Sequence, residues 1–157
     1  MAYDAFISYS HAADQPLARA LERGLQRFAR PWFKRRAMDI FRDEANLNLS
    51  AHLWASIQRA LDASRFFRCL ASPAAAQSPW VAREIEYWKA HRDRTRLIIV
   101  LTEGDLVWDG GRRDFDAQRS TAIPAALHGA FEDEPFYLDM RWARAEPTLS
   151  LDHDRFK

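Results

Sequence analysis

Glu84 stands where a helix should carry an apolar side chain. It lies in the run Ser78-Pro79-Trp80-Val81-Ala82-Arg83-Glu84-Ile85-Glu86-Tyr87-Trp88. On a helix turning roughly 100° per residue, Tyr87, Trp80, Trp88, Val81 and Ile85 fill one arc. Glu84 falls inside that arc, whereas Arg83, Glu86 and Lys89 fall outside it. An ionised carboxylate facing a core is costly unless it is paired or lines a cavity. Two readings stay open. Glu84 either makes a salt bridge to a core-facing Arg or His, or it sits in a cleft where its charge does chemistry. His91, which like the other histidines reads first as a surface or second-shell residue, falls on the Glu84 side of the helix, so a local polar role is its alternative.

The elements that must position Glu84 follow from periodicity and breakers. Residues 3–9 (Tyr3-Asp4-Ala5-Phe6-Ile7-Ser8-Tyr9) predict a first strand, and residues 10–14 a polar turn. Asp14 can cap a helix over about 15–30 that carries Leu17, Leu21, Leu25 and Phe28 on one face. A second strand is expected at 38–41 and a polar loop at 42–49. Ser50 can then cap a helix bearing Leu53, Ile57 and Leu61. Residues 65–71 predict a third strand, and 72–78 connect it to the Trp80–Glu84 helix. Leu97-Ile98-Ile99-Val100-Leu101 is an unbroken apolar run, as in a central strand covered on both faces. Residues 103–135 form a long polar connection with a short helix near 123–131, and 136–140 predict a fifth strand.

This alternation implies an α/β, flavodoxin-like open sheet of about five parallel strands with helices on both faces. Ligands of such folds bind beyond the carboxyl ends of the strands. The candidate rim is therefore Tyr9-Ser10-His11, Arg42-Asp43-Glu44, Ser72-Pro73 and Thr102, and Glu84 is expected in a cleft at that edge.

Bulk properties narrow the function. A length of 157 residues suits one domain, and 48% hydrophobic with 29% charged residues is ordinary globular composition. A net charge of +1 gives no reason to expect nucleic acid or a membrane surface as partner. The single cysteine, Cys69, excludes a disulfide framework, fits a reducing cytosol and reads as a buried strand residue. No apolar stretch is long enough to span a bilayer, and the amino terminus lacks a signal-peptide pattern. The last residues stop without a finished element, so a domain cut from a longer protein is expected.

Several chemistries lack their residues. None of the five glycines follows the first strand, so the dinucleotide-binding fingerprint is absent, and so is a Walker A loop. The third strand ends in Ala71-Ser72 and the next in Leu101-Thr102, without the acceptor Asp and the Lys of a receiver domain. The five histidines lack metal-ligand spacing and no GxSxG elbow occurs, so no metal or serine nucleophile is expected. Arg23, Arg27, Arg30, Lys34, Arg35 and Arg36 form either a solvated basic face or a surface for an anionic partner.

Three segments stand in register: Tyr3-Asp4-Ala5-Phe6-Ile7-Ser8-Tyr9-Ser10, Phe41-Arg42-Asp43-Glu44 with the loop to Ser50, and Leu70-Ala71-Ser72-Pro73 with Ser78 to Glu84. Together they resemble the Toll/interleukin-1 receptor (TIR) domain family of bacterial type. The resemblance covers about residues 3–140. It implies that Glu84 is the catalytic carboxylate of an NAD+ nucleosidase that releases nicotinamide and leaves ADP-ribose or a cyclic isomer. It also implies that Trp80, Tyr9, Ser10 and Asp43 border the substrate. NAD+ would be substrate, with no cofactor. Tyr9 and Asp43 are otherwise a strand-end aromatic and a loop carboxylate. The basic residues that the family's animal NAD-cleaving members carry after the first strand are replaced here by His11-Ala12-Ala13. The resemblance further implies bacterial antiviral signalling activated by TIR–TIR self-association, for which the Arg42–Ser50 loop offers Leu47 and Leu49. A non-enzymatic TIR–TIR interaction module and a nucleoside ribosyl-transferring enzyme are the alternatives.

Overall fold

A computed structural model of the chain describes residues 3–10, 16–20 and 50–145. Among them, four parallel strands form one sheet in the order β1-β2-β3-β6. These are β1 (Tyr3–Ser8), β2 (Ser64–Ala71), β3 (Leu97–Leu101) and β6 (Tyr137–Asp139). The helices are α1 (Ser50–Asp62), α2 (Pro73–Ala76) and α3 (Pro79–His91), and residues 16–20 are also helical. The expected strand at 38–41, the Arg42–Ser50 loop before Ser50, Asp43 and the Arg23–Arg36 basic cluster lie outside the described residues.

Four consecutive residues of β1, Ala5 to Ser8, are buried, as are Ile99 to Leu101 of β3. Successive strand residues point to opposite faces, so both faces of the sheet are covered, as the unbroken apolar run predicts. Leu17 and Ala18 of the 16–20 helix join that core. The ladder pairs Ser8 with Cys69, Ala71 with Leu101, and Leu101 with Asp139. The strands therefore end along one carboxyl edge. Cys69 is fully buried in β2, in keeping with its apolar setting.

One aromatic stack ties the helix to the sheet. Phe6 of β1 lies 5.8 Å from Phe67 of β2, and Phe67 lies 5.5 Å from Trp88 of α3 (ring centroids). Trp88 is fully buried and its Nε1–H donates to the Asp93 carbonyl at 3.0 Å. Burial of such a side chain contributes about 1.5–3 kcal/mol. Helix α3 starts where Ser78 accepts from the Val81 N–H at 3.3 Å and Pro79 takes the first helical position. It ends at Arg92, whose side chain donates to the Ser64 carbonyl at 2.6 Å.

Two connections differ from expectation. The 72–78 link contains α2, capped by the Ser72 hydroxyl accepting from the Ala75 N–H at 3.0 Å. The 103–135 connection holds an antiparallel ribbon, β4 (Trp108–Asp109) with β5 (Asp114–Phe115). Strands of two residues are too short for an alternating pattern to reveal. The helix expected near 123–131 is reduced to a 3₁₀ turn, Ala125–Leu127. Pro124 precedes that turn and Gly129, at φ +73°, follows it, so neither end can extend. Lys89 of α3 is outside the apolar arc, yet it is covered by this segment and donates to the Ala126 carbonyl at 2.7 Å.

Candidate active site

Glu84 is fully buried, and it lies at the carboxyl edge of the sheet. The Ser8 hydroxyl, on the last residue of β1, donates to Glu84 Oε1 at 2.9 Å. Chain geometry brings the two together. Phe6 and Ser8 share a strand face two residues apart, a rise of about 6.6 Å. Trp88 and Glu84 share a helix face four residues apart, a rise of about 6 Å. The Phe6–Phe67–Trp88 stack sets one level, and the next level towards the carboxyl edge places Glu84 against Ser8.

The buried residues of α3 are Val81, Glu84, Ile85 and Trp88. Glu84 is thus within the buried stripe, as the helix pattern requires. Trp80 and Tyr87 sit on its flank, half-buried, because Trp54 of α1 packs there. The Trp54 ring lies 6.3 Å from Trp80 and 6.0 Å from Tyr87. The Arg83 guanidinium lies over Trp54 at 4.1 Å and Trp80 at 5.7 Å. Neither Trp54 nor Ser8 was among the residues expected at the site. Ser8 did carry a signal, as a hydroxyl on the same strand face as Phe6 at the end of the apolar run Ala5-Phe6-Ile7. Trp54 carried none beyond helical spacing.

Burial pushes the Glu84 carboxyl up to about 8, against the opposing pull of the Ser8 hydrogen bond. Glu84 Oε2 is buried with no hydrogen-bond partner among the described residues. The salt bridge to a core-facing Arg or His is likewise not seen among those residues. His91 is the surface residue that its type first suggests, and it is not a polar neighbour of Glu84. His91 is exposed, stacks on Tyr87 at 4.2 Å and has Nδ1 3.0 Å from the Tyr87 carbonyl. Angular alignment with Glu84 is offset by seven residues of rise, about 10 Å, which carries the ring to the far end of the helix.

Tyr9 and Ser10 follow Ser8 at the same edge, Tyr9 buried and Ser10 half-buried. Trp80 precedes Glu84 by one turn, whereas Asp43 lies outside the described residues. Of the other rim residues, His11, Arg42 and Glu44 lie outside the described residues; Ser72 caps α2, and Thr102 donates through N–H and Oγ1 to the Ala71 carbonyl at 2.9 and 3.1 Å. A cavity of about 490 Å³ lined by Arg94, Thr95 and residues 129–133 opens near the amino end of β3 and includes none of the expected site residues.

A parallel sheet closing on a strand-end Ser8-Tyr9-Ser10, with a helix that carries Trp80 and Glu84 to the same edge, is the arrangement of a TIR domain. The chain belongs to this family, whose model, the TIR domain, matches residues 5–134. All 157 residues align at 57% identity with the protein named NAD(+) hydrolase ApTIR from Actinoplanes sp.. The chain spans about a fifth of that relative, 22% of its length.

Proposed function

We propose that the chain is an NAD+ glycohydrolase in which Glu84 is the catalytic carboxylate. The observation that carries this reading is the fully buried Glu84, with Oε1 held by Ser8 and Oε2 without a partner among the described residues. Support comes from the 57% identical relative, whose name is that of an NAD(+) hydrolase. Trp80, Tyr9, Ser10 and Asp43 are the proposed substrate-binding residues.

The chemistry suits a lone carboxylate. The nicotinamide–ribose bond breaks with its electron pair going to the pyridinium nitrogen, so the leaving group departs neutral without a general acid. The ribose carbon acquires oxocarbenium character, as in glycoside hydrolysis. A carboxylate held beside the ribose opposes that charge and orients the sugar hydroxyls. Exclusion of water strengthens the effect. Water then adds to the ribose carbon and releases one proton, giving ADP-ribose. Capture by a group of the same nucleotide gives a cyclic isomer instead.

At pH 7 a carboxyl raised to about 8 is mostly neutral in the closed chain. The cationic substrate favours the ionised form on binding. Glu84 has no exposed surface, so the proposal requires that NAD+ binding uncovers it. Self-association is the proposed trigger, with the Arg42–Ser50 loop as one contact, and bacterial defence signalling in the cytosol is the proposed setting.

The test is nicotinamide release from NAD+ by the protein at high concentration or crowded on a surface. Wild type should release nicotinamide, while folded Glu84→Ala and Glu84→Gln should not. An assembled wild type that leaves NAD+ intact would sink the proposal. It would favour a second reading, an interaction module without catalysis. Phe136, 91% exposed, and Leu138, 47% exposed, bring apolar surface to β6 and favour that reading.

A further inference from the structure

We propose that Ser8 is a positioning residue: its hydroxyl holds Oε1 of Glu84, so that Oε2 is the oxygen offered to the substrate's ribose hydroxyls. The substrate half of this inference rests on the reading above, whereas the Ser8–Glu84 pairing stands without it.

Other buried serine and threonine hydroxyls among the described residues make the case by contrast. Ser64 donates to the Ala60 carbonyl, Ser72 caps the Ala75 N–H, Thr102 donates to the Ala71 carbonyl, and Ser120 bonds the N–H and carbonyl of Val107. Each of these bonds is made to the backbone. The Ser8 hydroxyl bonds instead to a side chain 76 residues away, inside a fully buried pair. The backbone of β1 is already paired in the ladder with β2, so the hydroxyl is spare to the strand.

Its effect on the carboxyl is specific. The terminal torsion of a glutamate is broad and roughly two-fold, so an unbonded carboxyl would not keep one oxygen in one place. A hydrogen bond to Oε1 fixes the plane. It leaves Oε2 as the buried acceptor without a partner among the described residues, and such an atom is costly until a donor reaches it. A ribose hydroxyl is that donor. The same bond favours the charged carboxylate against the burial that opposes it. Among the described residues, no charged group contributes to the Glu84 shift, so Ser8 is the counterweight there. The strand-to-helix register that juxtaposes the pair makes a chance contact an unneeded explanation.

The test uses Ser8→Ala, which removes only an oxygen from a packed strand, with Ser8→Thr as the variant that restores a hydroxyl. Glu84 titration is followed without substrate by carbon NMR of its labelled carboxyl. Ser8→Ala should raise the midpoint by about one pH unit, and Ser8→Thr should recover part of it. With NAD+, the acid limb of kcat/KM should move up with the midpoint. On its plateau, kcat should fall about tenfold while KM stays within about twofold. A folded Ser8→Ala with an unmoved titration overturns the pairing. A moved titration with an unmoved acid limb and unchanged kcat overturns the positioning role and leaves the proposed reaction standing. An assembled wild type inert towards NAD+, whose Glu84 titration still answers to Ser8, overturns the reaction and the ribose role but not the pairing.

Discussion

Two carboxylates in this molecule meet opposite fates. Glu84, at the carboxyl edge of the sheet, is fully buried, takes one hydrogen bond and is pushed up to about 8 by burial. Asp114, in the connection after β3, is 28% exposed. Burial pushes it up too, but the N–H groups of Gly129 and Phe115, together with His128, outweigh that and hold it below the usual range. Donors decide the outcome. Asp114 sits where backbone N–H groups converge on it and so is a fastener. Glu84 sits over a paired ladder where, among the described residues, Ser8 alone donates to it and Oε2 has no partner.

The largest expected effect separates the two by activity. Glu84→Gln should lower nicotinamide release at least about a hundredfold, while Asp114→Asn should stay within about threefold. Equal losses would erase the distinction. Next comes the pH dependence of stability, where the signs oppose. The folded chain keeps the Glu84 proton between the ordinary 4.5 and about 8, where the unfolded chain releases it. Wild-type stability therefore falls as pH rises through that window. Glu84→Gln does not titrate, so its advantage over wild type should widen across the window, by at most about 5 kcal/mol. Urea midpoints near pH 5 and near pH 8 measure it.

Asp114 behaves the other way. Its lowered folded value stabilises the chain above the unfolded value, and this is lost as pH falls through the folded one. Asp114→Ala should cost about 1 kcal/mol at neutral pH and little in acid, seen in paired thermal melts. The smallest effect belongs to Glu86, two residues from Glu84, 62% exposed and 3.5 Å from Lys89. Glu86→Ala should change stability by less than about 0.5 kcal/mol and leave nicotinamide release unaltered. A large loss there would undo the claim that burial, not helix position, singles out Glu84.

Much of this was legible from the order of residues. The apolar run 97–101, the first strand (expected over 3–9, found over 3–8), the helix that starts at Ser50 and the helix carrying Trp80 and Glu84 follow from periodicity and, at Ser50, capping, which are local. Glu84 in the buried stripe followed from the same angular argument. His91 did not, because an angle around a helix axis carries no information about height along it. The β4–β5 ribbon was illegible because two-residue strands exist only through their partner and the Trp108–Phe115 contact at 5.2 Å.

The sequence by itself determined the alternation of strand and helix among the described residues, the sheet edge at which Glu84 lies, and Glu84 as the carboxylate out of place. Those depend on spacing along the chain. Only the tertiary structure decided what meets that carboxylate. The partner is Ser8 rather than an arginine, because strand rise and helix rise match across the Phe6–Phe67–Trp88 stack, and it supplies one donor for two oxygens. The raised titration and the unpartnered Oε2 follow from distances and burial across 76 residues of chain, which no local pattern encodes.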